Sequence, residues 1–217
     1  EIRAAGIDDL DEMRYGKPTY WRISSRKRPH NLYTSTKSLR ELAVKKGYED
    51  EISYKGFEFK EDNPASTPLI SLTIPFSNWN KVAYKYDKET NSFLRFHKSV
   101  AHRDAYTGTQ IKARNVVVLY AKKIVTNYIE DRQGSKSLNF GLTGEGKADF
   151  FIDGKEISGF WKAGSNSPPS FYADNGEEIS FNAGNIWIEV VPTGTNIDVE
   201  KPAPKSTTET IPEGETE

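Results

Sequence analysis

The chain has 217 residues, with 30 Lys or Arg against 31 Asp or Glu, no Cys, one Met and four Trp. Without Cys it carries no disulfide framework, no Cys-ligated zinc or iron–sulfur cluster and no thiol chemistry. No apolar run reaches the roughly 18 residues of a membrane-spanning helix, and the length allows one large or two small domains.

The first sixty residues read as helix plus loop. Ile7, Leu10 and Met13 recur at helical spacing between Gly6 and Gly16, which predicts a short helix. A clearer helix follows Ser35. Leu39, Leu42 and Ala43 make its apolar stripe. Ser35, Thr36 or the Ser38/Glu41 pair supplies its cap, and Gly47 is its stop after Lys45 and Lys46. Tyr54 to Phe59 alternates weakly, as a short strand would. Two Pro and several small polar residues make 61–68 a linker.

Beyond the linker the period changes to two. Leu69–Ile74 is a strand that Pro75 ends. Val82–Asp87 and Phe93–His97 flank a turn-rich stretch and form a hairpin. Asn115–Asn127 is a long β-branched run centred on Val116-Val-Val-Leu-Tyr120, and Phe140–Leu142 continues the strand pattern. Asp153-Gly154 joins Ala148–Ile152 to Glu156–Trp161, the sharpest hairpin signal in the chain. Asp174-Asn-Gly176 marks another, between Ser170–Ala173 and Glu178–Phe181. Ile186–Val191 is the last strand, closed by Pro192. The Pro-, Thr- and Glu-rich stretch 199–217 cannot bury enough apolar surface to offset its ordering entropy and reads as a disordered acidic tail.

Charge is uneven along the chain. Met13 to Arg40 holds eight Lys or Arg and no acidic residue, while Val199 to Glu217 holds two Lys and five Glu. A basic block suits phosphate, anionic lipid or nucleic acid, but also a plain solvated face. The near-neutral total disfavours nucleic acid. Within the block, Arg22, Arg26, Arg28, His30 and Asn31 combine guanidinium forks, a proton carrier and an amide donor. That set fits an anion pocket, with Arg22, His30 and Asn31 the catalytic candidates for a hydrolase. The competing reading makes His30-Asn31 a turn that positions the following helix.

A second set is His97, His102 and Asp104. If 102–104 is extended, His102 and Asp104 share a side, as half of a metal site or as a base and its orienting partner. There is no H-E-x-x-H and no matched second carboxylate, so no metal or cofactor is expected. The alternative is a hydrogen-bonded pair that fixes a turn. Gly141-Leu-Thr-Gly144-Glu-Gly146-Lys147 lacks phosphate-loop spacing and is followed by a strand, so it reads as a turn. Trp161, Phe171, Tyr172 and Trp187 read first as core.

Several segments then resemble one family. They are Tyr20-Trp21-Arg22 with Arg28-Pro29-His30-Asn31-Leu32-Tyr33; Val82-Ala-Tyr-Lys-Tyr-Asp87 with Phe93-Leu-Arg95; and His102-Arg-Asp104 with Thr107-Gly108. Asn115-Val116-Val117, Gly144-Glu-Gly146, Gly159-Phe-Trp161-Lys162, Phe171-Tyr172, Gly176-Glu-Glu-Ile179 and Gly184-Asn-Ile-Trp187-Ile188 follow in order. Together they resemble the YerB family of bacterial lipoproteins of unknown function.

The resemblance implies an α+β protein: the C-terminal part of an α/β domain over 1–60, then a β-rich domain over 69–198, curled, sandwich-like or barrel-like. It implies a chain that starts partway through the family's first domain, after its lipid anchor. It further implies an extracytoplasmic place at the cell membrane and a binding or assembly role, with an unknown protein or envelope polymer as partner. A hydrolase acting on a phosphate- or sugar-containing envelope polymer is the alternative. Arg22, Arg28, His30, Asn31, His102 and Asp104 are the expected ligand-binding residues.

Overall fold

A computed structural model describes residues 8–48, 55–165 and 167–203. The chain divides into two compact units, Glu1–Lys55 and Gly56–Glu217.

Among its described residues the first unit holds two helices and a strand ribbon. α1 (Glu12–Tyr15) is a single turn capped by Asp11, whose side chain accepts from Met13 N. Met13 is 87% exposed, so the short apolar stripe predicted there does not face a core; Gly6 and Ile7 lie outside the described residues. β1 (Tyr20–Arg22) and β2 (Leu32–Thr34) pair antiparallel with Trp21 opposite Tyr33. α2 (Thr36–Lys46) begins at Ser35, whose hydroxyl accepts from Ser38 N at 3.1 Å, and ends at Gly47 in the left-handed region. Ser35 uses the capping position itself, so the Ser38/Glu41 spacing is not what starts the helix. Leu42 is its buried residue.

The second unit is β-rich. Its strands are β3 (Glu58–Lys60), β4 (Ser71–Pro75), β5 (Lys81–Asp87), β6 (Ser92–His97), β7 (Val100–Ala101), β8 (Lys112–Ala113), β9 (Asn115–Ile129) and β10 (Lys136–Gly141). They continue with β11 (Gly144–Ile152), β12 (Lys155–Ala163), β13 (Ser170–Ala173), β14 (Ser180–Asn182), β15 (Ile186–Pro192) and β16 (Asp198–Glu200). One sheet runs β16-β4-β5-β6-β7, with β8 also on β6. The other runs β10-β9-β11-β12-β13, with β15 parallel to β9. β14 pairs with β3 in parallel.

The two large sheets pack face to face, as a sandwich. Leu72, Ile74, Val82, Tyr84 and Phe93 from the first meet Val116, Val118, Tyr120, Phe151 and Val191 from the second. The opposite face of the second sheet is also covered. There Val117, Leu119, Phe150, Ile152, Trp161 and Phe171 pack with Ile179 and Phe181. Asn115–Ala121 is therefore buried on both faces, which is why its sequence is a continuous apolar run rather than an alternating one. From Lys122 onward β9 pairs with β10 and is largely exposed.

Two segment boundaries differ from the sequence reading. Residues 61–68 belong to the second unit and are tied down there. Arg114 is paired with Asp62, Lys155 Nζ donates to Asn63 O at 2.8 Å, and Ala65 N donates to Asp153 O at 2.9 Å. Asp198–Glu200 is an edge strand on β4 rather than tail; residues 204–217 lie outside the described residues.

Asp153 anchors this region. Its Oδ1 accepts from Asn91 and from Asn182, both at 2.7 Å, and its Oδ2 from Lys60 Nζ at 2.5 Å. Burial raises the carboxyl, but these donors outweigh it and hold it at about 2.

Candidate functional site

In the first unit, Arg22 and Asn31 come together. Arg22 Nη1 donates to Asn31 Oδ1 at 3.0 Å and Nη2 to Glu12 at 3.1 Å, while Asn31 Nδ2 donates to Ile23 O at 3.1 Å. Asn31 is buried; Arg26, Arg28 and His30 are exposed. The turn is held by backbone bonds, His30 N to Lys27 O and Ile23 N to Asn31 O. The unit has a concavity of about 340 Å³ lined by Tyr15, Lys17, Thr19, Glu41, Lys45 and Lys46 among others. None of the sequence candidates lines it.

In the second unit, His102 and Asp104 turn to different partners. Asp104 Oδ1 accepts from Tyr106 N at 3.0 Å, Thr107 N at 2.7 Å and Thr107 Oγ1 at 2.9 Å. Those donors stabilise the carboxylate and hold its pKa below the ordinary value. His102 Nδ1 instead meets Arg95 Nη1 at 2.5 Å. Among the described residues no group of three His, Asp or Glu side chains forms a metal site.

Arg95 is the centre of a polar cluster between the two sheets. It sits on β6 directly opposite Tyr84 of β5. Phe93, Arg95 and His97 alternate onto one side of β6, and Trp187, Glu189 and Val191 onto one side of β15. Arg95 Nε donates to the Tyr84 hydroxyl at 3.1 Å and Nη2 donates to Glu189 Oε1 at 3.2 Å. Tyr84 donates to the same Glu189 oxygen at 2.6 Å. The guanidinium also stacks 4.3 Å from the Trp187 ring. Arg95 and Glu189 are only 8% and 6% exposed.

Burial and the Glu189 charge push the Tyr84 hydroxyl far above its ordinary value, so it stays a donor. Burial, then the Arg95 charge, then His97 lower the pKa of His102 and favour its neutral ring.

This cluster opens onto a depression of about 380 Å³ lined by Phe76, Asn80, Val82, Arg95, His97, His102 and Glu189. His97 Nε2 lies 2.9 Å from Asn80 Oδ1. Of the expected residues, His102 and its neighbour candidate His97 reach this wall; Arg22, Arg28, His30, Asn31 and Asp104 do not line it. Arg95, Glu189 and Asn80 are not among the residues expected at a site, although Arg95 ends one of the family-like segments. The first two carry a signal nonetheless: each is a charge at the inward phase of an apolar strand.

The remaining candidates are structural. Trp161 is buried and donates from Nε1 to Tyr120 O at 2.9 Å. Phe171 lies in the core beside Phe150 and Phe181, and Tyr172 stacks on Phe160. Lys147 pairs with Asp149 at 3.0 Å from within β11.

By fold, then, this is a β-rich two-sheet protein preceded by a small mixed unit, with a polar depression at the sandwich. Residues 72–188 match the family model described as "Protein of unknown function (DUF3048) C-terminal domain", and residues 1–49 match the corresponding N-terminal domain. The chain belongs to this YerB-like family.

It is 26% identical over 198 residues to the Bacillus subtilis (strain 168) protein named "Putative lipoprotein YerB", covering 88% of this chain and 57% of that protein. It also matches the crystal structure of YerB protein from Bacillus subtilis, with a TM-score of 0.73 and 25% identity. That match covers 92% of this chain and 66% of the other. The chain thus spans less than two thirds of the length of either relative. Among the described residues no helix is long and apolar enough to cross a membrane.

Proposed function

We propose that this chain is the extracytoplasmic part of a lipid-anchored bacterial envelope protein, working as a binding or assembly module at the outer face of the cytoplasmic membrane. Its first unit is the C-terminal part of a larger α/β domain, and its partner is a protein or an envelope polymer. The name of the Bacillus subtilis relative supports the anchor. Since the chain has no Cys, the lipid belongs to a residue outside it.

One observation carries the binding role. The lining of the depression includes no hydroxyl, thiol or amine nucleophile and one carboxylate, Glu189, already held by Tyr84 and Arg95. Glycoside hydrolysis by paired carboxylates needs two, and the two histidines of the wall each have one ring nitrogen engaged, His102 by Arg95 and His97 by Asn80. Recognition needs only the shape and the polar pattern. Hydrolysis through Arg22, His30 and Asn31 has less support. The two groups that would hold a developing negative charge hold each other instead.

The test is localisation of the full-length protein. Cells fed an alkyne-tagged fatty acid are expected to label it, with the label in the membrane fraction and the protein cut by protease added to protoplasts. An unlabelled, protease-protected cytosolic protein would refute the reading.

A further inference from the structure

The walls of the depression carry a donor and acceptor pattern that discriminates between ligand chemistries. Arg95 Nη1 can only donate, so the His102 Nδ1 it meets accepts, and the ring proton of neutral His102 sits on Nε2. Asn80 Oδ1 can only accept, so His97 Nε2 carries a proton, leaving Nδ1 as acceptor in the neutral ring and Asn80 Nδ2 as donor. Glu189 spends Oε1 on Tyr84 and Arg95, which leaves Oε2 as acceptor. The wall thus offers two donors and two acceptors.

Its charges cancel. Arg95 is compensated by Glu189 at 3.2 Å, and no second Lys or Arg lines the depression. A carboxylate or phosphate anion presents mainly acceptors at neutral pH, although inorganic phosphate keeps at least one hydroxyl. In this depression it would set lone pairs against Glu189 Oε2 and His97 Nδ1 with no uncompensated cation to hold it. A hydroxyl both donates and accepts, so several hydroxyls on one ligand satisfy all four groups.

The remaining surface is apolar. Phe76 and Val82 lie in the wall. Trp79, 85% exposed, is not part of the wall but rides on the same β4–β5 loop that supplies Phe76 and Asn80. That loop is pinned by Ser77, whose hydroxyl accepts from Asn80 N at 3.0 Å and Trp79 N at 3.3 Å. A flat aromatic on a fixed loop offers a surface for the C–H face of a ring. The volume, about 380 Å³, falls near the low end for ligand pockets.

We infer that this depression binds an uncharged saccharide, with Asn80, His97, His102 and Glu189 reading its hydroxyls and Phe76 and Trp79 covering its apolar face. The inference rests on reading the depression as the binding site of this module. A free oligosaccharide and a segment of a cell-wall glycan share the chemistry it selects.

The experiment is a titration of the purified chain with an N-acetylglucosamine tetrasaccharide, a glucose tetrasaccharide and inorganic phosphate, followed by calorimetry and tryptophan emission. Saturable binding of at least one tetrasaccharide and none of phosphate is expected. Trp79→Ala and Asn80→Ala change exposed residues; each is expected to weaken binding at least tenfold with the melting temperature unchanged. Co-sedimentation with insoluble cell-wall glycan then separates a polymer from a free sugar as the source.

Failure of both tetrasaccharides to bind would overturn the inference. So would saturation by phosphate, or saccharide binding that both variants leave intact. A lipid-labelled protein that ignores saccharides sinks this inference alone. A saccharide-binding protein found unlabelled in the cytosol sinks the envelope reading alone.

Discussion

Arg95 and Glu189 form an ion pair across the two sheets of the sandwich, Nη2 to Oε1 at 3.2 Å, although they stand 94 positions apart in the chain. Each charge is nearly removed from water, and each is completed by Tyr84. Such a pair is weak support for stability as a whole, but removing one half strands the other.

Glu189→Gln is therefore expected to lower the unfolding free energy by about 3 kcal/mol or more, because Arg95 keeps its charge in a buried wall. Replacing both residues with Met is expected to recover most of that loss. Urea denaturation of Glu189→Met, Arg95→Met and the variant carrying both gives the coupling energy directly. A coupling near zero would mean that water already satisfies both groups.

Gly154 and Gly176 separate two turns that look alike in the sequence. Both have positive φ, +69° and +85°. A Cβ on Gly154 would lie 2.5 Å from Pro68 Cβ and 2.8 Å from the Tyr86 ring, whereas one on Gly176 meets nothing within 4 Å. Gly176→Ala is expected to cost about 1–2 kcal/mol, the backbone penalty alone. Gly154→Ala adds the displacement of Pro68 and Tyr86 and is expected to cost at least about twice that. Melting temperatures of the two variants check the ordering; equal losses would remove the packing argument.

The same contrast explains what was legible in the sequence. Strands with an intact period or a long β-branched run, such as Leu69–Ile74 and Val116–Tyr120, are placed by local pattern because their burial is a property of the strand itself. The Tyr20–Arg22 and Leu32–Thr34 ribbon is too short to show a period. Asp198–Glu200 hides in polar composition because an edge strand buries little. Asp104 was expected beside His102, but 104 begins a turn that Thr107 and Tyr106 close, so the period-two argument does not apply. The site was partly visible through His97 and His102, while Trp187 reads as core. Its centre was not: Arg95 and Glu189 acquire meaning only when β6 and β15 are brought together from different sheets.

Asp153 makes stability depend on acid. Its folded pKa is about 2 against an ordinary 3.8, so the unfolded chain takes up the proton first as pH falls. The contribution is complete above about pH 5 and is lost on the way down to about pH 2, and its size is on the order of 2 kcal/mol. Asn at this position tolerates the +57° φ of the turn while removing the titration. Asp153→Asn is therefore expected to be less stable than the parent at pH 6 and to show a shallower fall in urea midpoint between about pH 5 and pH 2. An unchanged slope would assign the acid sensitivity to other carboxylates.

β9 is one strand with two mechanical characters. Asn115–Leu119 is hydrogen-bonded on one side to β11 and on the other to β15, and is buried on both faces. Lys122–Ile129 pairs with β10 alone, and Ile124, Val125, Tyr128 and Ile129 are 44–71% exposed. Opening the first half must break two ladders and uncover both cores; opening the second breaks one ladder and uncovers little. Amide hydrogen exchange is expected to protect Val116–Leu119 close to the global unfolding free energy. The same amides from Lys123 to Tyr128 are expected to exchange through local opening, at least about 2 kcal/mol cheaper. Denaturant sets the two apart, since exchange by global unfolding accelerates with urea while exchange by local opening does not. Uniform protection along all of β9 would show that the hairpin arm unfolds only with the sandwich.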